Sequence, residues 1–245
     1  MFQALLVAIL GYVQTSMNPI AWWIFREPIM TGFWVGLIYG KPVEGAIIGA
    51  AINVAFLGWI SAGGANPSDI YTAGLFGTTI ALQAGLPVQQ AVAIAVPLGV
   101  IGNYAWILWM SLNSFWPTLQ DKFAEKGDVG KIILIQALGG QLLLFILRSL
   151  PAFLAAYYGP NLIQAIIQSL PAWVISGFNT VGKVLPALGL AMLMKYMIRK
   201  ELIVFFALGF IISAYTGMTD LMFAALLGAA IGWIYLSLKP NVQEQ

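Results

Sequence analysis

Ile132-Ile-Leu-Ile-Gln-Ala-Leu-Gly-Gly-Gln-Leu-Leu-Leu-Phe-Ile-Leu-Arg148-Ser-Leu-Pro151-Ala-Phe-Leu-Ala-Ala-Tyr-Tyr158 decides the fold. A helix needs about 20 mostly apolar residues to cross the hydrocarbon of a bilayer. This run exceeds that length, and Arg148 is its only charge. Val88 to Leu112, Leu202 to Thr219 and Leu221 to Leu238 carry no charge at all. The runs are also too long for barrel strands, which alternate over about 10 residues. Composition agrees: 60% of the chain is hydrophobic and 8% charged, where a soluble domain is roughly one quarter charged. The expected class is an all-α polytopic membrane protein, a multi-span helical bundle.

Ahead of this run lies a hydrophilic linker near residues 115–131, most polar at Gln120 to Asp128. Behind it, the apolar pattern predicts segments Asn161 to Val181, with Pro171 inside, and Val184 to Ile198. The N-terminal half is cut by Gly and Pro instead of charge. Segments are expected at Phe2 to Met17, Pro28 to Gly40, Val43 to about Ile60, Ile70 to Gln83 and Val88 to about Asn113. Several are short for a crossing, which points to re-entrant or broken helices around a transport site. With no persuasive repeat between the halves, one membrane domain over 1–245 is the simplest organisation. Met1 to Ile24 lacks the basic start of a signal peptide and is expected to be an uncleaved first membrane segment.

Lys and Arg bias sets orientation. Lys122, Lys126 and Lys131 form one cluster, Lys195, Arg199 and Lys200 another, and Lys239 follows the last span. Cytoplasmic placement of all three is self-consistent and predicts a cytoplasmic C-terminus. Cysteine and histidine are both absent. Disulfides, thiolate metal sites, the commonest general base and the usual phosphohistidine acceptor are therefore excluded. No metal or other cofactor is expected, and a net charge of +2 gives no reason to expect nucleic acid.

Polar side chains within apolar segments carry the functional signal, because an unpaired polar group in hydrocarbon costs several kcal/mol. Gln14 and Asn18 lie one turn apart on the first segment, and Asn53 and Asn103 interrupt otherwise apolar helices. The loop Gly63 to Asp69 adds Asn66, Ser68 and Asp69. Amides of this kind also serve as interhelical glue, and Ser68 or Asp69 is suited to cap a helix starting at Ile70. Read as a set, Gln14, Asn18, Asn53, Asn66, Asp69 and Asn103 suit a neutral sugar, with Trp22, Trp23, Trp34 and Trp59 as stacking surfaces. Gly32, Gly36 and Gly40, continued by Gly45 and Gly49 and repeated at Gly228 and Gly232, are expected to be helix-packing positions.

Glu27-Pro28, Thr31-Gly32 through Gly40, and Glu44-Gly45-Ala46-Ile47-Ile48-Gly49-Ala50 resemble the early block of mannose/fructose/sorbose-family IIC proteins of the phosphotransferase system. Leu57-Gly58-Trp59, the loop Gly63 to Asp69, Val92 to Leu98, Gly177 to Gly182 and Phe205 to Phe210 are similar to later family blocks, in the same order. The resemblance implies a sugar-translocating subunit of a bacterial inner membrane, paired with a IID subunit in a trimer of such pairs. It implies a moving core domain and phosphorylation by soluble IIB, itself charged by IIA. Mannose-type members tend to have Glu where Asn53 stands and Asp where Lys41 stands. The amide version resembles the N-acetylgalactosamine/galactosamine branch.

A rival from another class is an ion-coupled secondary transporter of a small polar solute. It would need a membrane carboxylate, for which Glu44, Asp69 and Asp220 are the candidates. An intramembrane enzyme has poor material: no His, no Cys and no paired carboxylates in the spans.

Overall fold

The computed structural model describes residues 1–16, 22–58, 68–199, 202–217 and 221–238, and those residues are helix and short turns with no strand among them. Helix α1 (Phe2–Ser16) is followed by a π-helical turn at Trp22–Arg26. Then come α2 (Pro28–Ile38), α3 (Pro42–Ala55), α4 (Ile70–Ala84) and α5 (Val88–Asn113). Proline at the first position of α2 and α3 fits, since the N–H it lacks has no intrahelical partner there. Helices α2, α3 and α4 have 11, 14 and 15 residues, about 16, 21 and 22 Å at 1.5 Å per residue. Each falls short of the ~30 Å hydrocarbon layer. The N-terminal half is thus built of broken helices, as the Gly and Pro spacing predicts.

The α2–α3 hairpin is a backbone-on-backbone contact. A Cβ on Gly32 would lie 2.8 Å from the Cα of Gly49, and one on Gly45 would lie 2.7 Å from the Cα of Gly36. In lipid, such close approach is itself the packing energy. Gly40 plays a different part: its φ of +75° turns the chain between the two helices. Gly228 and Gly232 have open space about them among the described residues.

The core is formed by Val35, Ile48, Ile52, Ala73, Val92 and Ala95 from α2 to α5, with Val7 of α1 and Ala152 across from them. Helix α10 (Ala172–Met197) is seated by glycines as well: Gly189 lies against the Ala55 carbonyl of α3, and Gly182 against Gln89 of α5.

The polar linker is more ordered than its composition suggests. Phe115–Ala124 is a helix, α6, packed on α7 (Val129–Ile135). A tight turn at Glu125 to Gly127 separates them. Asp128 caps α7, accepting from Lys131 N at 3.1 Å and pairing with Lys131 Nζ at 2.8 Å. The hydrogen bonds from Lys131 hold its carboxyl below the usual carboxylate range. From Val129 the chain stays helical through a π turn at Gln136–Gly140, α8 (Gln141–Leu144), a second π turn at Phe145–Ser149, and α9 (Leu150–Ser169). Pro151 lacks the N–H that would bond the Leu147 carbonyl, which accounts for the second π turn.

The next boundary differs from the expected one. The helix ends at Ser169 and restarts at Ala172, with Pro171 between, and α10 runs on unbroken past Val181 to Met197. Hydropathy placed the break at the polar Gly182-Lys183, whereas the backbone placed it at the proline.

Residues 195–245 form a second compact unit containing α11 (Ile203–Thr216) and α12 (Leu221–Leu238). Within it, Phe205 meets Tyr235 edge to face at 5.2 Å. Among the described residues, three helical stretches are long and apolar enough to cross a membrane: Val88–Ala124, Val129–Gly159 and Ala172–Lys195.

Candidate functional site

Asp69 anchors the polar centre of the first unit. Its φ/ψ is extended, and its side chain accepts from Tyr71 N at 3.2 Å, capping α4. Its own N–H donates to the Gly99 carbonyl of α5 at 2.8 Å. That approach requires glycine: a Cβ on Gly99 would lie 2.6 Å from Ser68 Oγ and 3.1 Å from the Asp69 carbonyl.

The remaining oxygen, Oδ2, accepts from Thr72 Oγ1 at 2.6 Å and pairs with Arg148 Nη1. The same Nη1 donates to Thr72 Oγ1 at 2.7 Å, so Thr72 accepts from the cation while donating to the anion. Asp69 and Arg148 are 5% and 8% exposed, and Asp69 is the sole buried acid among the described residues. The guanidinium also lies over the Trp106 ring, 5.4 Å from its centre. Beside this group, Arg26 stacks at 3.9 Å on the ring of Tyr71.

Gln14 reaches the same region from α1. Its Nε2 donates to the Phe25 carbonyl and to Thr31 Oγ1, each at 2.6 Å. A cavity of ≈190 Å³ opens between α1, α4, α5 and the 147–151 stretch. Gln14, Thr15, Tyr71, Thr72 and Arg148 supply its polar wall, and Leu75, Phe76 and Ile101 contribute to its apolar wall.

The structure thus joins Asp69 to Arg148 and Thr72 by hydrogen bonds, and Gln14 lines the same cavity as Arg148 and Thr72. Asn53 stands apart. It lies on α3 and is not among the residues lining this cavity. Its Oδ1 is buried with no hydrogen-bond partner among the described residues. Asn103 is buried on α5 without being part of the cavity wall. Asn18 and Asn66 lie outside the described residues, as do Trp59, the loop residues 63–67 and Asp220. Trp34 is a packing element, not an open stacking surface: its Nε1 donates to the Ile24 carbonyl at 2.8 Å and its ring stacks on Phe25. Glu44 pairs with Lys41 at 3.3 Å on an exposed turn, which leaves it poorly placed for ion coupling.

Arg148 is the residue that reading by amides overlooks. Its signal was present as the lone charge in the 132–158 run, and a charge within a span marks a functional position more sharply than an amide does.

Short broken helices packed by glycine, with a buried polar group beside a cavity, define a multi-pass membrane transport protein. The chain matches the family described as "PTS system sorbose-specific iic component" over residues 1–234, and it belongs to that family. It is a sugar-transport subunit, not an enzyme in itself. It is 29% identical to the N-acetylgalactosamine permease IIC component 1 of Escherichia coli (strain K12), across 92% of this chain and 84% of that one. It is 27% identical to the mannose-specific EIIC component of the same strain, across 89% and 81%, and 27% identical to the sorbose-specific EIIC component of Lacticaseibacillus casei, across 88% and 78%. A solved structure described as a membrane protein superimposes with a TM-score of 0.82 at 25% identity, covering 100% of this chain and 99% of that one. A chain of the mannose transporter ManYZ, solved with microcin E492, shares the fold with a TM-score of 0.59 at 24% identity, covering 100% and 98%.

Proposed function

We propose that this chain is the IIC subunit of a phosphoenolpyruvate-dependent system whose substrate is an amino sugar of the N-acetylgalactosamine type. The observation that carries the substrate class is Asn53. Its carbonyl oxygen is buried and unpartnered among the described residues, and a buried acceptor without a donor is costly. The N–H of an acetamido sugar satisfies such an acceptor, as a sugar hydroxyl also does. The amide in place of the Glu usual in mannose-type members is what turns the reading toward the amino-sugar branch. The 29% identity to an N-acetylgalactosamine permease component supports the same reading. The remaining residues of the set, Gln14, Asn18, Asn66, Asp69 and Asn103, are proposed to contact sugar hydroxyls.

In this reading the whole of 1–245 is one transport domain with its C-terminus in the cytoplasm of a bacterial cell. It pairs with a IID subunit, as the family resemblance implies, and the pairs form a trimer. Sugar moves with a mobile core domain, in elevator fashion, and is phosphorylated by IIB, which IIA recharges. The sequence holds no histidine, so the phosphohistidines of such a relay belong to other chains.

Uptake of labelled N-acetylgalactosamine in cells with and without the soluble relay proteins tests the mechanism. Accumulation is expected to cease without them, and uptake that persists would favour ion coupling instead. Asn53→Ala is expected to cut uptake of N-acetylgalactosamine at least tenfold, about 1.4 kcal/mol, with the protein still inserted. Normal uptake by that variant would remove Asn53 from the site.

A further inference from the structure

Lys183 is a second cation set well inside a stretch long enough to cross the membrane, and it lies outside the proposed sugar-binding set. In the sequence the polar Gly182-Lys183 pair reads as a membrane surface, yet α10 runs straight through it. The helix therefore carries the charge into the middle of the Ala172–Lys195 stretch. Lys183 lies 11 residues from Ala172 and 12 from Lys195, about 16 and 18 Å at 1.5 Å per residue. The lysine stem reaches about 6 Å, too short to bring the ammonium to either face. We infer that Lys183 marks the face of α10 that docks on the second membrane subunit, and that a carboxylate within an apolar helix of that subunit meets it. The inference rests on the subunit pairing proposed above and deepens it.

Helix geometry sets the direction in which Lys183 points. Gly182 and Gly189 are seven residues apart and share a face, which lies on this chain's own backbone. Gly182 meets Gln89 of α5, and Gly189 meets the Val54 and Ala55 carbonyls of α3. Lys183 is turned about 100° from that seam and is exposed. Val184 beside it and Leu190, two turns on, are exposed as well. Lys183 is also no part of the wall of the cavity between α1, α4 and α5.

Charge accounting then points to another chain. No carboxylate among the described residues pairs with Lys183. Glu44 is held by Lys41, Asp128 by Lys131 and Asp69 by Arg148. Asp121 and Glu125 lie on the polar hairpin at α6, and Glu27 adjoins Arg26 at the head of α2. Among the described residues, a second copy of this chain therefore brings no outward carboxylate at this depth.

Lipid offers no substitute, because its phosphates lie at the two faces, beyond the lysine's reach. The backbone carbonyls of a neighbouring helix are already spent within that helix. A charge inside a span faces a partner or a watered cavity, and here the partner left is an acidic side chain on a different membrane protein. Such a charge-assisted pair, away from water, fixes which helix docks and in what register.

Co-purification of the tagged chain with its own IID subunit, from cells expressing both, tests this. Lys183→Met keeps most of the side-chain length and removes the charge, which strands the partner's carboxylate. It is expected to enter the membrane in the wild-type amount and to retain at least about tenfold less IID. Lys183→Glu is expected to lose more. Changing one Asp or Glu in an apolar span of IID to Lys is expected to restore the complex with Lys183→Glu, which identifies the partner residue. A role in internal packing alone would lower the amount of inserted chain and leave the IID retained per chain unchanged. That result overturns the inference, as does full retention by both variants. Loss of association between two differently tagged copies, with IID still retained, assigns Lys183 to a second copy and overturns it too. Should Lys183→Glu fail to insert, retention by Lys183→Met alone decides. A wild-type chain that retains no IID would instead sink the pairing reading itself, and the inference with it.

Discussion

Gly49→Leu is expected to leave almost no folded protein in the membrane. A Cβ at this position falls against the Pro28 carbonyl and 3.0 Å from Gly32 Cα. Both are backbone atoms of α2, and no side chain can swing aside to make room. Overpacking against flexible neighbours typically costs 1–3 kcal/mol. Here relief requires parting the hairpin along the Gly32–Gly36 and Gly45–Gly49 seam, so the cost is expected to reach or exceed about 3 kcal/mol. At 1.4 kcal/mol per factor of ten, that shifts the folded fraction by about two orders of magnitude. Gly177, also within a helix, has open space around it, and Gly177→Leu is the matched control. Detergent extraction of fluorescent fusions followed by size exclusion reads both. An undiminished monodisperse peak for Gly49→Leu would show that the two helices do not pack through their backbones.

The same hairpin shows why part of the fold was legible in the sequence. Glycine every four residues has one strong physical use in lipid, and proline at the start of a segment has one at a helix N-terminus. Residues 28–55 therefore announced their own pairing. The break at Pro171 was missed for a related reason. Hydropathy responds to Gly182 and Lys183, whereas a helix responds to the missing N–H of a proline, and the second constraint is stiffer.

The site was half legible for a different reason. Gln14, Asn53 and Asn103 stood out because each interrupts an apolar run, and Asp69 because it closes a Gly-rich polar loop; sequence can register such features one at a time. It does not register which of them meet. Asp69 and Arg148 are 79 residues apart in the chain, and only the packing of α4 against α9 and its preceding π turn brings them together. That meeting depends on Gly99 letting the 68–69 backbone lie on α5, and on Pro151 loosening the helix where Arg148 projects. Neither residue is polar, so a search for polar residues had no reason to weigh them.

Asp69→Ala is expected to be the most damaging single change among the buried polar residues. It removes the cap of α4, worth about 1 kcal/mol, and it strands Arg148, a residue only 8% exposed. Breaking a buried pair from one side costs about 3–5 kcal/mol, because the cost is that of an uncompensated charge and not of the lost attraction. That distinction gives the prediction its form. Replacing both partners, as in Asp69→Asn with Arg148→Met, leaves the cap oxygen and removes the stranded Arg148 charge, so the double variant is expected to be more stable than Asp69→Ala by about 2 kcal/mol or more. Thermal melts of purified protein read by size exclusion supply the comparison. The order wild type, double variant, Asp69→Ala is the one the buried pair requires. If Asp69→Ala instead melts with the wild type, water reaches Arg148 freely, and the polar centre built around it is not the closed arrangement that its hydrogen bonds describe.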